Sequence, residues 1–503
     1  MSPAMPTTLI TSSHRAMRLK TFVPALMLAT AVAAGCADLS VTDPNKQTAG
    51  SFWHTQQDAL AGLTATYAGL PYQGTYGRYG AFNFDARSDI GESHSPNTSW
   101  AQYTKFIIPN KDIDIDWVTW HDHYATIARA NQVVDNVPGI AMDVTLRNRI
   151  VGEAKFLRAL LYSNLVNLYG NVPLTLHAAD PSTRTPQVPA ATTWAQIEKD
   201  LTDAVASLPD SYSGGDVGRA TKGAANALLG KVELQQRKWT EAAAALNAVI
   251  TSPANYQLLQ NYGDNFGLQR NNAESVFEVQ MSSYDPANGL VGLNISKFCG
   301  PPGIGFNDCS PTAWYVTQFT DTTASGARDP RAGETLFFPG DTTPKGIDLS
   351  NRGVTGVYWK KWARPDRVSQ DFDEPIDYRV IRFADVLLMY AEAKNELNDQ
   401  TTAYTMVNRV RARAGVTPLP TGLDQAGMRA AILHERLVEL GLEQTRWLDM
   451  KRQNIIATQA GIDSVKTLHD PEFNSFILGK SELLPIPQSE VDLNPNVKQN
   501  PGW

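Results

Sequence analysis

The stretch TKGAANALLGKVELQQRKWTEAAAALNAVITS, residues 221–252, constrains the fold more than any other part of the chain. Its apolar residues recur at three- and four-residue spacing, the period of a helix with one buried face. The pattern runs on both sides of a break near Arg237-Lys238. Ala224, Ala227, Gly230 and Ala242 carry little or no side chain, so the two helices can approach closely. RFADVLLMYAEAKNELND followed by TAYTMVNRVRARAGV forms a second such pair. One hairpin cannot cover its own apolar face, so pairs of this kind stack on one another.

The pattern resembles a tetratricopeptide hairpin, but strict repeat identity is weak and helical hairpins are expected rather than a regular solenoid. Further helices are read at Phe52–Leu70, Trp117–Val137, 146–169, 193–209 and 424–453. In the third of these, Ile150, Ala154, Leu157, Leu161 and Leu165 mark the buried face, and Gly170 and Pro173 stop it. Two regions break the pattern. Residues 71–116 are rich in Gly, Tyr, Ser, Asn and Asp and read as long loops. Residues 255–380 hold short β-rich runs, SVFEVQM and GVYWKKW, among Gly, Pro and Asp; they read as an irregular insertion between helical blocks. In GVYWKKW, Trp359 and Trp362 are expected to pack a strand. The tail, LLPIPQSEVDLNPNVKQNPGW, reads as an extended strap. The fold class is therefore mainly α: helical hairpins as scaffold, with a large irregular, loop-rich, short-strand side.

The N-terminus carries an export signal. His14, Arg15, Arg18 and Lys20 precede a nearly all-apolar run, Phe22 to Ala34, which is short for a membrane span. Val32-Ala33-Ala34-Gly35-Cys36 then places a cysteine at the first mature position, which resembles the bacterial lipoprotein box. A thiolate is the nucleophile such lipidation needs, and acyl chains anchor at about 0.8 kcal/mol per buried methylene. Residues 1–35 are the expected signal peptide, with Met17 an alternative start, and residues 36–50 a lipid-anchored tether. Residues 51–503 are expected to form a single domain with a variable insertion at about 255–365. No second apolar stretch approaches a span. The net charge is −7 and no basic run is present, which argues against nucleic acid. The other two cysteines, Cys299 and Cys309, bracket CGPPGIGFNDC. In an exported chain a disulfide is the expectation, and two buried free thiols the alternative.

Catalytic signatures are missing. HERLV has Val438 where a second zinc ligand would stand, and GTYGRYG has neither the spacing nor the surroundings of a dinucleotide loop. There is no Walker sequence and no G-x-S-x-G elbow. In DIDID, Asp112, Asp114 and Asp116 invite a calcium reading, but the EF-hand glycine and glutamate are replaced by Trp117 and His123, so a solvated loop is expected. His121 and His123 stand two apart and face apart on a helix. Glu435, Glu439 and Glu443 recur every four residues; with Arg436 and Arg446 as partners and Leu437, Leu440 and Leu442 for packing, they read as scaffold. No metal and no cofactor are expected.

WVTWHDHYATIARANQVVDNV, GEAKFLRALLYSNLVNLYGNVPL, IRFADVLLMYAEAKNEL, VNRVRARAGV, HERLVELGLEQTRWLDMKR and the tail together resemble the SusD/RagB family of outer-membrane nutrient-binding lipoproteins, in the family's order and over nearly all of the mature chain. The resemblance implies a tetratricopeptide-type scaffold with ligand-holding loops opposite it. It implies a non-enzymatic protein on the outer membrane, facing the cell exterior. Such a protein captures glycan and passes it to a SusC-like TonB-dependent barrel. Peptide or another nutrient as cargo, a helical-hairpin scaffold in outer-membrane assembly, and a secreted glycoside hydrolase are the competing readings.

Glycan binding asks for flat aromatics against the apolar faces of pyranose rings, with carboxylates, amides and guanidinium groups for the hydroxyls. The loop 76–103 supplies that mixture in Arg87, Asp89, Asn97, Trp100 and Tyr103. Asp89 also matches an acidic position of the family pattern. Trp100 is either a half-exposed platform or a plug for the core beneath the loop. Trp314 and Tyr315, in CSPTAWYVTQF, form the second candidate; if Ser310-Pro311-Thr312 opens a short helix, at least one of the two faces inward.

Overall fold

Several helices begin where a side-chain oxygen meets their unpaired N–H groups. The Thr55 hydroxyl accepts from the Asp58 backbone N–H while the Asp58 carboxylate accepts from that of Thr55, and this capping box opens α1 (Gln56–Tyr67). Asn97 caps α2 (Thr98–Thr104), α3 spans Asp114–Asn136, and Asp143 caps α4 (Val144–Tyr169). After α5 (Ala190–Ser207), Thr221 caps α6 (Lys222–Gln235), which α7 (Trp239–Ile250) follows. The C-terminal half holds α8 (Phe383–Glu396), α9 (Gln400–Ala414), α10 (Gln425–Glu439) and α11 (Arg446–Arg452). Gly170 and Gly415, at φ of +71° and +74°, end α4 and α9 in a conformation that side-chain-bearing residues adopt only at a cost.

A computed structural model describes residues 52–178, 182–283, 285, 287, 291–302, 305–341, 355–363 and 373–503. The expected signal peptide, the tether and Cys36 lie outside them. Helices α3 to α8 pack each on the next, and α8 also receives α9 and α10. Residues Trp53–Trp503 close into one compact unit. The expected pairs are present: α6 with α7, broken at Arg237 (φ +60°), and α8 with α9. Gly230 explains the first contact, since a Cβ there would stand 2.5 Å from Leu246 Cγ. Between α4 and α5 the Arg158 guanidinium grips Asp200 with two bonds of 2.8 Å and donates a third, also 2.8 Å, to Asn131 of α3.

The irregular side has short antiparallel pairings: β1 (Gly91–Glu92) with β5 (Ser310–Pro311), β2 (Val172–Pro173) with β3 (Gln187–Val188), β4 (Ser275–Val279) with β8 (Tyr378–Arg382), and β6 (Leu336–Phe337) with β7 (Tyr358–Trp359). The β4–β8 pair brings together the two ends of the insertion. Trp359 and Trp362 are both buried, as strand packing predicts. The strap is tied down by main-chain and amide bonds: Leu484 N–H donates to Leu168, and the Asn500 amide to Tyr169. It is not extended throughout, since Gln488–Leu493 is helical.

Residues 71–116 depart most from expectation. In place of long loops, Gln73–Gly77 and Phe82–Ala86 are π-helical turns, and most of 74–91 is buried. Tyr76, Tyr79, Phe82 and Phe84 supply the apolar area that pulls this segment inward. Gly74 lets the turn lie against α3, where a Cβ would meet the Val118 carbonyl oxygen at 2.2 Å.

A buried cage of charges joins the insertion to the helices. Glu439 accepts from Arg331 and Arg382, each at 3.1 Å, and from Arg413. Glu435 accepts from Arg331 and from Arg411 (2.8 Å); Glu443 accepts from Lys361 (2.8 Å) and, through both oxygens, from Arg382 (2.7 and 2.8 Å). The three glutamates are scaffold, but their partners are not the ones expected. Arg436 turns to Asp385 and Asp449, and Arg446 to Asp89, because the cage recruits cations from the insertion, β8 and α9 instead.

Candidate functional site

Two loops that the sequence presents as separate candidates meet in space. The Asn294 N–H donates to the Gly77 carbonyl, the Thr312 N–H to Ile90 and the Thr312 hydroxyl to Asp89 O, while β1 pairs with β5. The segment 76–103 and the segment 294–315 thus form one surface, with Trp100 toward one end and Trp314 toward the other.

Trp100 sits half-buried among aromatic rings. Its ring lies 5.1 Å from that of Phe298 and edge-on to Tyr79 (6.3 Å) and Phe82 (6.1 Å). The indole N–H donates to Asp114 Oδ1 at 2.8 Å, and the Ile115 N–H reaches the same oxygen. The ring is therefore oriented from two sides while part of it stays at the surface. The Arg78 guanidinium lies 3.8 Å from the centre of Phe298, and the Lys297 ammonium 4.3 Å from that of Phe306, a ring 49% exposed. Cations over π-faces hold both side chains with their donors near the surface.

At the other end, Trp314 lies in the one-turn helix Ala313–Val316, capped by Thr312. Its indole stacks on the His469 imidazole at 3.7 Å and 9°. His469 Nδ1 is 2.8 Å from Asp89, which also takes two bonds from Arg446, at 2.6 and 2.7 Å. Burial alone would raise the Asp89 carboxyl; the Arg446 charge and these bonds outweigh it and bring it down to about 2. Trp314 thus rests on a buried ion pair through His469.

Of the seven residues expected to bind ligand, Asn97, Trp100 and Trp314 reach the surface. The other four are corrected. Arg87, 1% exposed, stacks on Trp447 (4.6 Å) and donates to the Ser481 carbonyl. Tyr103 donates to Asn83 at 2.6 Å inside the core, Tyr315 is fully buried, and Asp89 is engaged as described. The 76–103 loop folds inward and takes Arg87, Asp89 and Tyr103 with it, while Tyr315 faces inward from its one-turn helix as the short-helix reading requires of one of the two aromatics. Asn97 serves as a helix cap, accepting from the Ser99 N–H. Cys299 and Cys309 are free, buried thiols, so the expected disulfide is not formed. Main-chain bonds already close the loop between them: Phe306 to Lys297 and Asp308 to Phe298, both at 2.7 Å. Burial, with Cys309 alongside, pushes the Cys299 thiol well up.

The acids of DIDID diverge. Asp112 accepts from Ser489, Asp114 from Trp100, and buried Asp116 from Tyr169 at 2.7 Å. His123 is buried with Nδ1 on the Thr119 carbonyl, and burial lowers it to about 4, whereas His121 is exposed. Among the described residues no group of three metal-ligating side chains converges. Sequence reasoning missed Phe298, Phe306, Arg78 and His469 at this surface. Phe298 and Phe306 flank and occupy the CGPPGIGFNDC loop, where attention to the cysteines hid the aromatics. His469 has no local signal.

Two family models match the chain, one described as "SusD family" over residues 273–503 and one as "Starch-binding associating with outer membrane" over residues 40–234. The chain belongs to the SusD/RagB family. A SusD-like protein of Formosa agariphila is 27% identical over 92% of this chain and 94% of its own length. A solved laminarin-binding SusD-like protein is 28% identical, covers 90% of this chain and 100% of its own, and superposes with a TM-score of 0.73. A SusD homologue from Bacteroides thetaiotaomicron, at 24% identity, shares the fold with a TM-score of 0.76 over 90% of this chain and 98% of its own. The helical-hairpin scaffold is the fold of this family.

Proposed function

We propose that this chain is a non-enzymatic, lipid-anchored glycan-binding protein of the outer membrane. It captures oligosaccharide or polysaccharide on the surface between Trp100 and Trp314 and delivers it to a TonB-dependent barrel. The observation that carries the reading is the half-buried Trp100 ring, locked by Tyr79, Phe82, Phe298 and Asp114 yet still at the surface. A preset aromatic face loses little side-chain entropy on binding a pyranose. Phe306 widens the platform, and Lys297 and Arg78 bring hydroxyl-directed donors beside it. Asp114 spends its acceptor capacity holding Trp100, which suits positioning rather than acid–base chemistry. The family membership, the laminarin-binding relative, the outer-membrane wording of the family description and the lipoprotein-type sequence at Cys36 support the reading.

The test is affinity electrophoresis of the chain in gels containing laminarin or starch, with Trp100→Ala and Trp314→Ala alongside. Retardation by one polysaccharide, lost in Trp100→Ala, is expected. Retardation lost only in Trp314→Ala would keep the function and shift the platform to the His469 end. No retardation across a broad polysaccharide panel would refute glycan capture and favour peptide or another cargo.

A further inference from the structure

A second cleft shares no lining residue with the Trp100–Trp314 surface. It has a volume of about 320 Å³ and is walled by α3, by the segment after α4 and by the C-terminal strap. Its lining includes Trp120, His121, Tyr124, Thr183, Thr185 and Glu490. That volume falls at the small end of the roughly 300–1,000 Å³ range of ligand pockets.

The side chains on α3 follow the helical period. Trp120 and Tyr124, four apart, pack against each other at 4.8 Å, and Tyr169 supports Trp120 edge-on at 5.0 Å. Trp117 and His121, also four apart, stack in parallel at 5.0 Å and 13°. Trp117 is 39% exposed, and the His121 side chain more so. His121, stacked on the exposed Trp117, therefore lines the cleft, and the half-buried Tyr124 ring forms a wall. The Tyr124 hydroxyl is fixed on the Pro173 carbonyl at 2.8 Å, which orients that ring.

The polar groups are uneven in a telling way. Thr175 and Thr185 bond each other at 3.2 Å, and the Asn494 amide donates to Thr185 O at 2.8 Å. The Trp120 indole N–H, the Thr183 hydroxyl and the Glu490 carboxylate have no hydrogen-bond partner among the described residues. Trp120 is 3% exposed as a whole, and its indole N–H is the part that stays open to the cleft, where it can donate to water or to a bound molecule. One donor, one carboxylate and one hydroxyl beside aromatic walls are the requirements of a pyranose: a ring face to stack, and rim hydroxyls that donate to a carboxylate and accept from an N–H.

We propose that this cleft is a second, independent saccharide site, sized for a mono- or disaccharide, in which Tyr124 stacks the sugar and Glu490, Thr183 and the Trp120 N–H bond its hydroxyls. The proposal rests on the reading of the chain as a glycan binder, but on none of the residues of the Trp100–Trp314 surface. A site of this kind would hold a short end or a released fragment while the longer chain occupies the first surface.

The experiment is saturation-transfer NMR of the full chain with maltose and with laminaribiose, on the wild type, Trp100→Ala, Glu490→Gln and Thr183→Val. One of the two disaccharides is expected to bind the wild type and to remain bound in Trp100→Ala, where any contribution of the first surface is removed. Its affinity is expected to fall about tenfold or more in Glu490→Gln, and measurably in Thr183→Val, whose isosteric side chain leaves the fold intact. Loss of disaccharide binding in Trp100→Ala, unchanged affinity in both cleft variants, or no binding of either disaccharide would overturn the proposal. Polysaccharide retention in gels separates the two readings. If retention is absent while disaccharide binding still depends on Glu490, the first surface fails and the cleft stands; if retention depends on Trp100 and the cleft variants bind as wild type, the reverse holds.

Discussion

Replacing Glu439 with glutamine removes one charge from the centre of the buried cage and leaves its shape nearly unchanged. In the native protein its carboxylate faces Arg331, Arg382 and Arg413, and every side chain concerned is at most 4% exposed. Burial by itself would raise the Glu439 carboxyl; the Arg413, Arg382 and Arg331 charges reverse this and hold it well below the ordinary range. The variant leaves three guanidinium groups with one counter-charge fewer. Breaking a buried pair from one side costs about 3–5 kcal/mol, because the remaining charge stays desolvated. That is a fifth or more of a typical domain stability of about 5–15 kcal/mol. In urea, with an m-value of about 3 kcal/mol per molar or more for a chain of this size, the midpoint should fall by about 1 M. The depressed carboxyl sets the pH dependence. Its contribution is complete above the unfolded value near 4, and it is lost as pH falls through the folded value. The gap between wild type and variant should therefore be full at pH 7 and narrow below about pH 4. Lys199→Ala, which breaks the exposed pair of Lys199 with Asp203, is the control and should cost well under 1 kcal/mol. A Glu439→Gln midpoint within about 0.2 M of wild type at pH 7 would show that the cage does not hold the insertion to the helices.

Two further outcomes follow from single side chains. Asp85 is a buried carboxyl raised to about 8, chiefly by burial, with Glu443 adding to it and the Gln444 N–H opposing. A raised acid is favoured in its protonated form by folding, so its effect turns against stability as pH climbs from about 4 to about 8. Asp85→Asn should accordingly gain on wild type as pH rises from 5 to 9 in urea titrations, and a constant difference would refute this. Gly230→Ala should lower the melting temperature, since overpacking against Leu246 costs about 1–3 kcal/mol and outweighs the gain of about 1 kcal/mol in helix propensity; a higher melting temperature would mean that α6 and α7 have room to spare.

The helices were legible because their information is local. The period of Ile150, Ala154, Leu157, Leu161 and Leu165 and the stop at Gly170 lie within a few turns of α4, and the structure follows them. The same holds for the α6–α7 hairpin, where Gly230 and Ala242 announce a close contact between neighbours in sequence. The ligand residues were less legible. Arg87, Asp89 and Tyr103 share their loop and its polarity with Trp100, yet they are buried while Trp100 keeps part of its ring at the surface. Nothing within that loop separates them. The partners that bury them, Trp447, Arg446 and Asn83, come mostly from hundreds of residues away.

By itself, then, the sequence determined the scaffold and the family, both of which rest on periodicity, on breakers or on contiguous motifs. Only the tertiary structure decided which polar groups face solvent, which cysteines stay thiols, and which cations answer Glu435, Glu439 and Glu443. Arg331 and Glu435 stand 104 positions apart, and Arg446 and Asp89 357 apart. A charge has no period along the chain to report its partner. Its fate is set by desolvation, which favours pairing a buried ion with an opposite charge close in space, whatever its place in the sequence.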